Sequence, residues 1–186
     1  ILNPIPEKTM SDQQARFARL KALHGGARAF VIPNPWDAGS ARLLASLGFE
    51  ALATTSAGYA FSKGKLDSFA SLDQSEILSN AAEIVAATDL PVSADLEDGF
   101  GAAPETCAET IRLACGVGLV GGSIEDATGD PSTPIHDFSH AVERVHAAAE
   151  AARTLPFLLT ARAENFLWGR PDLDDMIKRL QAFSAA

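Results

Sequence analysis

The sequence predicts an α/β fold on a parallel sheet and, within that class, a TIM-type (β/α)8 barrel; three observations carry the prediction. Apolar strand-like runs alternate with helix-like segments along the whole chain, and such alternation specifies βαβ units with right-handed crossovers. Polar and charged residues close strand after strand, at Thr55-Ser56, Asp95-Glu97, Glu125-Asp126 and Arg162-Glu164. A barrel feeds one active centre from many strand ends, whereas a doubly wound sheet concentrates its site at one switch point. Finally, the turn after the first strand reads Pro33-Asn34-Pro35-Trp36, with no glycine-rich phosphate or dinucleotide fingerprint.

The elements follow in order. Ser11 to His24 carries Ala15, Phe17, Ala18, Leu20 and Leu23 at helical spacing, with Ser11 as N-cap and Gly25-Gly26 as the stop. Ala29 to Ile32 is a short strand, Asp37 to Leu47 a helix ended by Gly48, and Ala51 to Thr55 a second strand. A polar, glycine-bearing loop then runs to about Ser71. Leu72 to Thr88, Ala103 to Cys115, Phe138 to Arg153 and Asp172 to Phe183 read as helices; Pro91 to Asp95, Gly121 to Glu125 and Pro156 to Ala161 read as strands. Five strands cannot close an eight-stranded barrel, which needs about 250 residues. The expectation is a single incomplete barrel domain over residues 1–186, holding about the first five βα units, as a fragment or as a chain completed by a partner.

Composition narrows the function classes. The 186 residues are 47% hydrophobic and 21% charged, ordinary for a soluble globular protein. A net charge of -9 repels phosphate backbones and anionic lipid, so nucleic acid and membrane are not expected partners, and an anionic substrate needs a local cation. Cys107 and Cys115 show no metal or redox spacing and are expected to be buried, reduced thiols. Ile1 to Met10 holds three prolines and lacks a positive n-region, and no long apolar run follows, so neither signal peptide nor membrane span is expected and the address is cytoplasmic. The initial Ile suggests a processed or trimmed product.

The most informative stretch runs from Leu90 to Gly101, an apolar strand that ends in Asp95, Glu97 and Asp98 with Gly99 and Gly101 behind them. Asp95 and Glu97 are two apart, so on an extended backbone both leave the same face. Such a pair repels unless a cation or proton is shared, and an all-oxygen donor set suits a hard ion such as Mg²⁺. A solvated acidic turn is the alternative. An EF-hand loop is excluded, because its sixth and twelfth positions would be Phe100 and Thr106 instead of Gly and Glu.

Four blocks together resemble the phosphoenolpyruvate mutase/isocitrate lyase superfamily. They are Asn34-Pro35-Trp36-Asp37-Ala38-Gly39-Ser40-Ala41; Thr54-Thr55-Ser56-Ala57-Gly58; Asp95-Leu96-Glu97-Asp98-Gly99-Phe100-Gly101; and the pair Ile124-Glu125-Asp126 with Ala161-Arg162-Ala163-Glu164-Asn165-Phe166. The resemblance implies a TIM-type barrel whose Asp95, Glu97 and Glu125 surround Mg²⁺, with Mn²⁺ as an alternative ion, largely through water. It implies that Thr55, Ser56 and Ala57 bind the carboxylate of a small 2-oxo acid, that Arg162 contacts it from the other side, and that Asp67 reaches it from a gating loop. The residues alone leave other roles open: Thr55 and Ser56 as turn caps, Arg162 as a structural partner of Glu125 or Glu164, Asp67 as a solvated loop residue.

The implied chemistry is cleavage of a C–C or P–C bond beside a 2-oxo carboxylate through an enolpyruvate-type intermediate, as in oxaloacetate decarboxylation, or a phosphonomutase-like isomerisation. The sequence departs from the lyases where they carry a Lys-[Lys/Arg]-Cys-Gly-His loop. Here that stretch is Ala127-Thr128-Gly129-Asp130-Pro131-Ser132-Thr133-Pro134, which argues against isocitrate-type cleavage. A non-catalytic small-acid-binding or interaction module is the competing reading. The resemblance also implies a homo-oligomer for the full-length protein. His24, His136, His140 and His146 are read as surface residues, since none ends a strand.

Overall fold

Four parallel strands in the order β1-β2-β3-β4 form the sheet of the computed structural model, which describes residues 10–68 and 71–186. The expectations for residues 1–9, and the loop positions 69 and 70, lie outside the described residues. The strands are β1 (Leu52–Ala53), β2 (Val92–Asp95), β3 (Gly121–Glu125) and β4 (Leu158–Arg162). Seven helices are described: α1 (Met10–His24), α2 (Ala38–Ser46), α3 (Ser56–Ser62), α4 (Gln74–Ala87), α5 (Pro104–Gly116), α6 (Phe138–Arg153) and α7 (Leu173–Ala185). From β1 onward at least one helix separates each strand from the next, in keeping with the alternation read from the sequence.

Two segments differ from expectation. Ala29 to Ile32 forms no strand; its surroundings contribute one ladder-like bond, from Ala53 N–H to the Pro33 carbonyl. Pro33 and Pro35 have no N–H to give, and the Asn34 side-chain amide donates to the Ala53 carbonyl in place of a main-chain donor. The start of the presumed loop is instead the helix α3, capped by Thr55, whose side chain accepts from the Gly58 N–H. Asp37, Asp73 and Asp172 cap α2, α4 and α7 in the same way, each accepting a first-turn N–H. α1 begins at Met10, so Ser11, the expected N-cap, lies within it.

Leu20 of α1 packs with Ala51 and Val120, the residues that lead into β1 and β3, so α1 covers the amino ends of the strands. The main core lies between the sheet and helices α4, α5 and α6, where Ile77, Ile84, Val92, Leu96, Ile111 and Ile124 are buried. Gly122 in β3 belongs to this packing: a Cβ there would stand 2.6 Å from Leu96 Cδ1 and 2.9 Å from Phe157 Cζ. With the amino ends covered, the carboxyl ends are left to form a site.

Candidate active site

The register aligns the strand ends. Asp95 pairs with Ser123 and Glu125 with Arg162 across the sheet, and the Glu125 N–H donates to the Glu97 carbonyl just past β2. Asp95 N–H donates to the Thr54 hydroxyl, and the Asp95 carboxylate accepts from the Ser56 N–H (3.1 Å) and hydroxyl (2.7 Å). Ser56 is thus drawn to the acidic cluster, and Thr55 is engaged as a helix cap. The Ala57 N–H, in the first turn of α3, has no acceptor within its own helix.

A cavity of about 350 Å³ opens at these ends, lined by Ser56, Asp67, Glu97, Asp98, Glu125, Ala127, Arg162 and Trp168 among others. It gathers most of the residues expected there; Asp67 sits exposed at its rim. An adjoining cavity of about 430 Å³ shares Glu97 and Asp98 and continues to Phe100, Thr128 and His136. Arg162 Nη1 pairs with Glu125 at 2.9 Å and its Nε with buried Glu164 at 2.8 Å, so both structural partnerships left open by the sequence are made. Asp126 accepts the Glu164 N–H and is itself held by Arg179 of α7 at 3.1 Å. This buried chain fixes the carboxylate that braces Arg162.

The electrostatics are those of too much negative charge in too little water. Burial, then Asp95, Asp98 and Asp67, push the Glu97 carboxyl up to about 7. Burial pushes Glu125 up to about 8 although Arg162 opposes it. Burial works against the Arg162 charge, but Glu125, Glu164 and Asp95 outweigh it and raise its pKa. Crowded carboxylates repel unless a proton or cation is shared, and oxygen donors of this kind suit a hard ion such as Mg²⁺. Among the described residues no three acidic, His or Cys side chains converge tightly enough to ligate one ion directly. An ion held here by Asp95, Glu97 and Glu125 would therefore keep water between itself and part of the set, in keeping with the reluctance of Mg²⁺ to dehydrate.

The loop where the lyases carry Lys, Cys and His is stapled onto itself. Ala127 and Ile135 form an antiparallel bridge, Thr128 N–H donates to the Pro134 carbonyl, and Asp130 accepts from the N–H and hydroxyl of Ser132. It presents no basic or thiol side chain to the cavity.

His136 corrects the sequence reading. It is half-buried, lines the adjoining cavity and receives a bond from Arg144, and burial with that neighbour lowers its pKa to about 4. Arg144 was also missed. Its signal was present in the spacing of α6, which puts it on the same buried stripe as Ala141, Val145 and Ala148.

The family model described as phosphoenolpyruvate phosphomutase matches residues 20–186. A Burkholderia cenocepacia J2315 protein provisionally described as a lyase/mutase superposes with a TM-score of 0.91 at 60% identity, over 94% of this chain and 63% of that one. The 2-methylisocitrate lyase of Bacillus subtilis is 27% identical over 95% of this chain and 58% of its own length. The oxaloacetate decarboxylase of Pseudomonas putida KT2440 is 29% identical over 95% of this chain and 61% of its own. The chain therefore spans about three fifths of the length of these relatives.

Proposed function

The chain belongs to the phosphoenolpyruvate phosphomutase family, and from that membership we propose that the intact protein is a Mg²⁺-dependent lyase. Its substrate is a small anionic 2-oxo acid, and its reaction resembles oxaloacetate decarboxylation. The observation that carries this reading is the strand-end constellation: Asp95, Glu97 and Glu125 lie at neighbouring strand ends, Arg162 is braced by Glu125 and Glu164, and the loop beside them has no Lys, Cys or His.

Asp95, Glu97 and Glu125 are the residues that would hold the ion, Mg²⁺ or Mn²⁺. Once bound, it supplies Lewis-acid stabilisation of the negative charge that develops beside the carboxylate, worth several kcal/mol. Arg162 binds and orients the substrate carboxylate; Glu125 and Glu164 fix its planar fork so that little freedom is lost on binding. Ser56 and Asp95 lock the start of α3, leaving the Ala57 N–H for the same carboxylate, and Asp67 lies where a closing loop would reach the cavity mouth. Loss of CO2 removes no hydroxyl proton, and the enolate it leaves can take its proton from water, so a loop without Lys, Cys or His is compatible with decarboxylation; aldol-type cleavage also needs a base for the substrate hydroxyl, which this loop does not offer. The same loop favours a second reading, binding of a small acid without turnover.

We further infer that the four-stranded sheet is part of one (β/α)8 barrel domain in the intact protein, a cytoplasmic homo-oligomer. The buried free thiols Cys107 and Cys115 suit a reducing compartment, and among the described residues no helix is long and apolar enough to cross a membrane. Calorimetric titration of the intact protein with MgCl2 tests the site. Submillimolar binding lost in Asp95→Ala supports the assignment; absence of heat in the unaltered protein overturns it.

A further inference from the structure

The turn that follows β2 is conformationally expensive. Glu97 (φ 49°), Gly99 (φ 82°) and Phe100 (φ 62°) all lie in the left-handed region, and two of the three carry a side chain. Residues with a side chain, Glu97 and Phe100 here, persist in that region only where the surroundings over-determine them.

Here the surroundings are the main-chain carbonyls of the turn itself and what captures them. Arg144 of α6 is 1% exposed and donates to three of them: from Nη2 to Asp98, and from Nη1 to Gly101 at 2.8 Å and Ala102 at 3.3 Å. The Thr110 hydroxyl donates to the Gly99 carbonyl, the Cys107 thiol lies 3.8 Å from the Asp98 carbonyl, and His140 Nε2 lies 2.8 Å from the Ala102 carbonyl. Arg144 Nη1 also lies 3.0 Å from His136 Nε2. A guanidinium can only donate, so this nitrogen carries the lone pair and the His136 proton sits on Nδ1.

Among the described residues Arg144 forms no salt bridge; its buried charge is spent on carbonyls and an imidazole. A buried cation of this kind is a poor route to stability, since an apolar side chain of similar volume commonly serves as well or better. What an apolar side chain cannot do is fix three carbonyls of one turn at once.

We propose that Arg144 is a positioning residue: it holds the 98–102 turn, and through it the Glu97 carboxylate, in the geometry that receives the divalent cation. The proposal rests on the metal-site reading above and extends it to a residue that touches neither ion nor substrate.

The test uses the intact protein and its Arg144→Met, Arg144→Lys and Arg16→Met variants. Arg16 is a fitting control. It too is buried and donates to main-chain carbonyls, those of Val85 and Thr88, but it does so from α1, which covers the opposite end of the sheet. Arg144→Met is expected to weaken Mg²⁺ binding in calorimetry roughly tenfold to hundredfold, the usual effect of losing a group that orients a ligand. In metal-free protein it should speed hydrogen exchange at the Gly99 and Phe100 amides, which bond to the Leu96 carbonyl and the Asp98 carboxylate, roughly tenfold or more. Arg144→Lys should fall between Met and the unaltered protein, and it decides the matter where the Met variant does not fold. Arg16→Met should lower the thermal midpoint without changing either readout.

Unchanged turn exchange in both Arg144 variants overturns the proposal. So does an equal loss of Mg²⁺ affinity in Arg16→Met, which would mark the effect as one of global stability. If the unaltered protein binds no Mg²⁺, the metal-site reading fails by itself, and the proposal fails with it whatever the exchange shows.

Discussion

At the residue scale, the site depends on charges that are only partly neutralised by one another. Arg162 bridges Glu125 and Glu164 with different nitrogens of one rigid fork, a task an ammonium point charge cannot reproduce. Arg162→Lys should therefore lower kcat/KM roughly a hundredfold, or about 2.7 kcal/mol, while leaving the fold intact by circular dichroism. His136 sets a pH window. Burial, the Arg144 charge and His140 hold it down to about 4, whereas the unfolded imidazole titrates near 6.5. Between these values the unfolded chain binds the extra proton, so this contribution to stability is complete above the upper value and is lost as pH falls toward the lower one. Partial exposure screens the effect to about 1–2 kcal/mol. The thermal midpoint of His136→Gln, which keeps an acceptor for Arg144 but does not titrate, should depend less steeply on pH across that window than that of the unaltered protein. Asp95, Glu97 and Arg162 were legible in the sequence as charged residues closing strands, and the structure sets Glu97 and Arg162 around one cavity with Asp95 bonded to Ser56 beside them. The roles of Arg144 and His136 were not: the spacing of α6 marks Arg144 as buried, but its partners are carbonyls of the turn after β2, which have no sequence identity, and His136 is engaged through Arg144.

At the element scale, apolar periodicity placed all six of the helices it was asked to place, because each buries one stripe against the sheet or a neighbouring helix. It failed at α3, where Gly58 and two serines hide a seven-residue helix whose start is fixed by the Thr55 cap. It failed again at Ala29 to Ile32, where β-branched residues resemble a strand but the prolines that follow withhold the ladder's donors. Inside the sheet, a Cβ at Gly122 of β3 would require Leu96 and Phe157 to shift. Gly122→Ala should destabilise the protein by about 1–3 kcal/mol through forced displacement of Leu96 and Phe157. A drop of several degrees in thermal midpoint would show it; an unchanged midpoint would mean that the two side chains yield freely. Leu96 lies between Asp95 and Glu97, so the same substitution should also weaken Mg²⁺ binding.

At the scale of the whole molecule, the parallel order β1-β2-β3-β4 leaves β1 and β4 at the two edges among the described residues. Relatives longer than this chain share its fold, and barrel closure in the intact protein would give β4 a second neighbour. Hydrogen exchange on that protein should then protect the β4 amides that do not reach β3 as strongly as those, such as Leu158, that bond across to it. The fold class was readable from alternation alone. Substrate choice was not, because it rests on the shape of the pocket and no motif spells that out. Cleavage of a 2-oxo acid at these strand ends with a divalent cation is tested by pyruvate release from oxaloacetate by the purified intact protein, with MgCl2 and with excess EDTA. Release should run well above the rate of Mg²⁺ in buffer and be abolished by EDTA and by Asp95→Ala. Release no faster than free Mg²⁺ across a panel of small 2-oxo acids would contradict it and leave binding without turnover as the function.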